Sequence, residues 1–240
     1  MSGGFPAPPA SRRPVARDMD TTPFTPILVE LLTRVPGAYA AALVDAEGEC
    51  VDYAGKGTPF DTKIAAAELR VLLSQLQDAA NVGAVRWLVL RGERRTVVAR
   101  GLADSYALVT LLRRRAGFTA SQRAFDACER ELAREAGWPH SLEGWYPIDV
   151  KTDRLGRPRL IIGPPSATQP PDSVRVEVLG TVASELGARE RGFRVRTERG
   201  NELTLVREPG RAWYVDDAPH LALAFSETLE PGSSGRLPQE

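Results

Sequence analysis

Between residues 24 and 138 the apolar positions switch between helical and strand spacing, and the switches predict an ordered set of elements. Pro26–Val35 has the spacing of a short helix, with Thr25 placed to cap it and Pro26 suited to its first turn. Pro36-Gly37 ends it. Ala38–Asp45 (AYAAALVD) predicts an apolar strand, Ala46–Glu49 a turn, and Cys50–Ala54 the returning arm of a hairpin. Asp61–Ala80 predicts the longest helix, with Asp61 as N-cap and Ala65, Leu69, Leu72, Leu76 and Ala80 as its core stripe. Three strands follow in close succession: Ala84–Arg91, Arg94–Ala99 and Ser105–Leu112. A last helix, Ser121–Ala136, is capped by Thr119 or Ser121 and closed by Gly137. The three later strands are apolar on both faces, so helices are expected on both sides of their sheet.

Outside this stretch the pattern changes. Residues 1–23 have no periodicity and are expected to be a disordered tail. Residues 139–171 contain Pro139, Pro147, Pro158, Pro164, Pro165, Pro170 and Pro171, and are expected to be a linker with short extended pieces such as Pro158–Ile162. Residues 172–229 return to period two. Val174, Val176 and Val178 share one face; Phe193 and Val195 suit Leu203 and Leu205 across a turn; Ala212–Val215 adds another strand. This predicts a small antiparallel β unit, a curled sheet or half-barrel. Residues 230–240 are expected to be a second tail.

Composition narrows the function. The 240 residues correspond to roughly 1.6 domains. Lys+Arg and Asp+Glu are both 31, so the chain is formally neutral, which argues against a globally cationic polyanion binder. All the basic residues but Lys56, Lys63 and Lys151 are arginine. Cys50 and Cys128 form neither a disulfide framework nor a metal set. The start of the chain lacks an apolar signal region and no apolar run approaches membrane-spanning length, so a cytoplasmic protein is expected.

The stretch GAYAAALVDAEGECVDYAG at Gly37–Gly55 resembles the first hairpin of the roadblock family, small α/β domains related to dynein light chains. The helix IAAAELRVLLSQLQ and the three strands follow at that family's spacing, over residues 24–138. The resemblance implies an α/β (α+β) three-layer fold, α-β-β-α-β-β-β-α, around a central antiparallel five-stranded sheet. It implies a homo- or heterodimer joined through the third strand, with Val85, Trp87, Val89 and Arg91. That strand is apolar and is expected at a sheet edge, where it needs a partner or a cover from the tail or the C-terminal part. The resemblance further implies a GTP-bound Ras-like small GTPase as partner, a GTPase-activating or co-activating role beside a second roadblock protein, and a place in bacterial cell polarity, at a cell pole. A roadblock domain followed by a different C-terminal part also resembles RomY-type polarity proteins. The GTPase-facing residues it implies are Ile64, Ala67, Glu68, Val71 and Gln75 on the long helix. The small Ala66 and Ala67 would allow close approach. The alternative is that Ile64 and Val71 widen the core stripe or pack on a symmetry-related helix.

Other chemistry is sparse. His140 and His220 sit in no metal or nucleophile pattern. Gly55-Lys56-Gly57-Thr58 lacks the remaining parts of a phosphate loop. Gly156-Arg157-Pro158-Arg159 is a single short copy of a minor-groove hook and is read as linker. Arg113-Arg114-Arg115 is the densest charge run, either a solubilising strand end, an acidic-partner contact or an arginine presented to a GTPase. No cofactor, metal, nucleic acid or catalytic group of its own is expected. Two further readings stay open: a non-catalytic scaffold joining two proteins, and a nucleic-acid-associated protein.

Overall fold

The computed structural model describes residues 17–77, 85–114, 116, 121–139, 144–163, 173–183, 186 and 189–216. The chain divides into two compact units: Met1–Ala120 with Glu131–His140, and Ser121–Arg130 with Ser141–Glu240.

The first unit contains α1 (Phe24–Arg34), β1 (Ala38–Val44), β2 (Cys50–Gly55), α2 (Pro59–Gln77), β3 (Trp87–Arg91), β4 (Arg95–Gly101) and β5 (Ala107–Arg113). The strands form one antiparallel sheet in the order β2-β1-β5-β4-β3. This is the expected five-stranded α/β arrangement. The β1–β2 hairpin closes as the sequence implies: Asp45 Oδ1 accepts the N–H groups of Glu47 and Glu49 at 3.1 and 2.8 Å, and Gly48 takes a positive φ of 87°. Gly55 is needed at the other end, where a Cβ would stand 2.2 Å from the Tyr39 carbonyl.

One face of the sheet packs on α2 through Ala40, Ala42, Val44, Val97, Ala99, Val109 and Leu111, against Ala66, Leu69 and Leu73. The run of alanines in β1 lets the helix lie close. Residue alternation sends Ala41, Leu43, Val98, Leu108 and Leu112 to the opposite face, where all are buried. There α1 lies along β1 and β2.

Several boundaries differ from expectation. α1 begins at Phe24, whose N–H is capped by the Thr22 hydroxyl at 3.1 Å. The Thr25 hydroxyl, expected as the cap, is directed to Asp52 instead. α2 begins at Pro59, not Asp61; the Thr58 hydroxyl is the cap and accepts the Asp61 N–H at 3.1 Å. The helix is described as far as Gln77. Its buried face is Thr62, Ala66, Leu69, Arg70 and Leu73, so the expected stripe holds at Leu69 and at Ala65, which packs half-buried on the core, and is rotated at Leu72 and Leu76, which are half-buried. Ala80 lies outside the described residues. Ala66 faces the sheet rather than a partner.

Residues 17–23, read as tail, form a strap across β2. Arg17 bridges the Asp52 carboxylate and the Tyr53 carbonyl, and Tyr53 donates its hydroxyl to Asp18 at 2.8 Å. Asp18 also pairs with Lys63 of α2 at 3.0 Å. Residues 1–16 lie outside the described residues.

α3 (Gln122–Ala136) is one helix, of which the part up to Arg130 groups with the second unit and the part from Glu131 with the first. Ser121 is its cap, accepting the Ala124 N–H at 3.0 Å, and Gly137 closes it at φ 71°. In the first unit Trp138 stacks on Tyr106 with ring centroids 4.6 Å apart.

The second unit is a closed barrel of six strands: β6 (Trp145–Thr152), β7 (Pro158–Ile162), β8 (Ser173–Val182), β9 (Arg191–Thr197), β10 (Glu202–Arg207) and β11 (Trp213–Asp216). Each strand pairs antiparallel with its chain neighbours, and β11 closes on β6. The extended piece expected at Pro158–Ile162 is β7, and β6 stands where only linker was expected, so residues 145–162 supply two barrel walls. Closure also makes the unit larger than the half-barrel expected from 172 onward. Its interior holds Ile148, Ile161, Val176, Phe193, Val195, Leu203, Leu205, Trp213 and Val215. The outward Val206 and Tyr214 are buried too, and the Tyr214 hydroxyl lies 3.4 Å from the Ser121 hydroxyl. The tail expected at 230–240 lies outside the described residues, as does everything from 217 onward.

Candidate protein-binding site

α2 carries a second apolar stripe on its solvent side. Phe60 is 72% exposed, Ile64 45% and Val71 51%. At 100° per residue, Phe60, Ile64, Ala67, Glu68, Val71 and Gln75 fall within an arc of roughly 100°. The five residues expected to face a GTPase thus share one face. Glu68 and Gln75 are exposed and rim it; Ala67 is half-buried, close to the β1–β2 turn at Gly48. Ile64 and Val71 do not widen the core stripe. Phe60, the most exposed apolar residue of the face, was missed by the sequence reasoning, which started the helix too late. The signal was present as Thr58-Pro59, a cap followed by proline at the first helical position. An apolar stripe with a polar rim on an otherwise buried helix is the signature of a protein-binding surface.

The strap meets this helix at Lys63, which pairs with Asp18, and is itself held by Asp52 of β2. Asp52 is fully buried, and its carboxylate accepts Thr22 Oγ1 at 2.5 Å, Thr25 Oγ1 at 2.6 Å, the Tyr53 N–H at 2.6 Å and Arg17. Desolvation pushes its pKa up, but the bonds from Thr22, Thr25 and Arg17 outweigh burial and hold it below the ordinary aspartate range. Buried Arg70 ties the middle of α2 to the β4–β5 connection, donating to the Ser105 carbonyl at 2.9 Å.

β3 is an edge strand, as expected, and pairs with β4. Its register sets Leu88 and Leu90 opposite Ala99 and Val97, on the α2 face, with Leu90 exposed. Trp87 and Val89 point to the other face, and Arg100 lies 5.6 Å over the Trp87 ring. Val85 is half-buried and packs on the α2 core; Arg91 is exposed. Arg113 lies opposite Arg95, beside the Arg91–Thr96 pair, so Arg91 and Arg113 are gathered at one end of the sheet with exposed Arg114. Arg115 lies outside the described residues, as do His140 and His220. Among the described residues no cluster of His, Cys, Asp or Glu is arranged to hold a metal ion. Cys50 is pushed up to about 11 by burial, which leaves its thiol protonated and unreactive at neutral pH. Lys56-Gly57-Thr58 is the approach to α2, with Thr58 occupied in capping.

Neither a family model nor a curated protein matches the chain. Among solved structures it is similar to Myxococcus xanthus MglB, at 19% identity and TM-score 0.41, over 48% of this chain and 98% of that one. It is similar to a Roadblock/LC7 domain from Streptomyces avermitilis, at 21% identity and TM-score 0.37, over 46% and 92% of the two chains. A third is MglC from Myxococcus xanthus, at 25% identity and TM-score 0.34, over 46% and 96%. None of these three bears a RomY name.

Proposed function

We propose that this chain regulates a Ras-like small GTPase, binding its GTP form through the outer face of α2 and accelerating hydrolysis, alone or with a second roadblock protein. The observation that carries this reading is the exposed Phe60–Ile64–Val71 stripe, rimmed by Glu68 and Gln75, on a helix whose opposite face is fully used by the core. The roadblock-like order of elements supports it, and the edge position of β3 among the described strands supports a dimer that would bring two such helices into one assembly. The catalytic groups for hydrolysis would belong to the GTPase. This chain would act by binding the hydrolysis-competent conformation more tightly than others, since only differential affinity shifts a population. Arg113, Arg114 and Arg115 would add a charged contact.

Calorimetric titration of this chain with GTPase loaded with a non-hydrolysable GTP analogue, and then with GDP, tests the reading. Tighter binding of the GTP-analogue form, lost in Val71→Arg, is expected. Equal affinity for the two forms would remove the regulatory role and leave the scaffold reading, to which the closed barrel in the same chain lends a second body.

A further inference from the structure

In the barrel the links β6–β7, β8–β9 and β10–β11 gather at one end, because the strands run up and down in chain order. The turn Asp153–Gly156 presents Leu155, 71% exposed, between exposed Arg154 and Arg157, and Arg159 is exposed on the strand that leaves it. Arg189 and Arg191 are exposed where β9 begins, and Arg211 is exposed in the β10–β11 turn. These links are close together: a Cβ on Gly156 would stand 3.3 Å from Arg207 Nη1 at the end of β10. The β7–β8 register pairs Leu160 with Arg175, so the exposed Leu179 lies further along β8, on the side of this end.

Among the described residues, charge at this end is one-sided. The described acidic groups there are already engaged. Asp153 Oδ1 accepts the N–H groups of Leu155 and Arg157, both at 2.9 Å, and Asp153 Oδ2 lies 3.7 Å from Arg159 Nε. Glu190 and Glu208 accept from Arg123 at 2.8 and 3.2 Å. Glu185, in the β8–β9 link, lies outside the described residues. The barrel wall differs: Arg194 and Arg196 share Glu202 at 2.9 and 2.7 Å, and Arg175 faces Glu198.

A solvated hairpin tip gains nothing from leucine. A leucine ringed by arginines suits the boundary of an anionic bilayer, where guanidinium groups meet headgroup phosphates and the apolar side chain enters the acyl boundary. Duplex nucleic acid would engage the arginines and leave both leucines in water. Single strands are gripped by stacking on aromatic side chains, and none is among the exposed residues of this end. We infer that this end of the barrel, with Leu155 and Leu179 inside a ring of arginines, is a peripheral docking surface for anionic lipid membranes.

Co-sedimentation of the full chain with phosphatidylglycerol–phosphatidylethanolamine vesicles, against phosphatidylcholine vesicles, tests it. Retention on the anionic vesicles alone, falling as salt is raised, is expected. Arg154→Ala, Arg157→Ala and Arg189→Ala should each weaken it about fivefold, and Leu155→Asp should abolish it. All four leave Asp153 and Gly156, the turn formers, in place. Leu155→Ser, with a wild-type melting temperature, separates lost docking from lost folding and should also weaken retention. No pelleting with anionic vesicles, or equal pelleting with phosphatidylcholine, would overturn the inference. So would retention by duplex DNA that Leu155→Asp leaves intact, in a chain that the vesicles do not hold.

Discussion

Replacing Asp52 with alanine should detach the strap that meets α2 at Lys63. The carboxylate is fully buried and takes bonds from Arg17, Thr22, Thr25 and the Tyr53 amide. Removing one member of a buried charged pair costs about 3–5 kcal/mol. The lower end applies here, because the strap is at the surface: Arg17 and the threonine hydroxyls can reach water once it lifts. A loss of about 3 kcal/mol in a chain of this size lowers the melting temperature by roughly 6–12 °C. The pH dependence has a definite sign. The folded carboxyl titrates below its ordinary value of 3.8, so its contribution is full above that pH and is lost as pH falls through the folded value. Asp52→Asn, which keeps the shape without the charge, should therefore differ from wild type by a constant amount from neutrality down to about pH 5, and converge with it below. Calorimetric melts across this range, with amide exchange read at residues 18–25, provide the assay. A melting temperature within about 2 °C of wild type for Asp52→Ala, with those amides still protected, would refute the reasoning.

Four further outcomes follow from the same structure. Trp87→Asp places a charge on edge strand β3 and should convert a dimer to monomer in sedimentation velocity without unfolding it; an unchanged oligomer would argue against pairing through β3. Arg123→Ala removes the cationic partner of buried Glu208 and should destabilise the barrel by about 3 kcal/mol in urea melts. Burial raises the Glu208 pKa above its ordinary 4.5, so its ionisation costs stability above the folded pKa and nothing below 4.5; Glu208→Gln should hold or raise stability at neutral pH, with the gain vanishing near pH 4. Arg113→Ala, Arg114→Ala and Arg115→Ala combined should slow association with an acidic partner, read by stopped flow at low salt, while leaving the melting temperature unchanged.

Much of the first unit was legible because its elements are local and strongly periodic. The β1–β2 hairpin shows in its apolar strand, Asp45 and Gly48, and the edge position of β3 followed from its place in the resemblance. The rotation of α2 was harder to read. In IAAAELRVLL the small residues suit either face, and what decides is the alanine-rich β1 against which Ala66 fits. The Asp52 strap joins positions about thirty residues apart through polar atoms, which leave no hydrophobic trace. In the barrel, Pro147 disguised β6, while Pro158–Ile162 showed as an extended piece whose place in a barrel had no local sign. Pro158 is the first residue of its strand, where a missing N–H is tolerated. The Asp153–Gly156 turn repeats the Asp-x-x-Gly chemistry of Asp45–Gly48, and reading it the same way would have exposed the hairpin. Closure of β11 on β6 is long-range and has no local signature.

The most direct test of the regulatory reading is single-turnover GTP hydrolysis by the cognate Ras-like GTPase. The GTPase is measured alone, with this chain, with this chain plus a second roadblock protein, and with Ile64→Arg or Val71→Arg variants that keep the wild-type melting temperature. Acceleration by the wild-type chain, alone or in the combination, and its loss in both variants is the predicted result. Hydrolysis at the GTPase's own rate in every mixture, or acceleration that survives both substitutions, would contradict it.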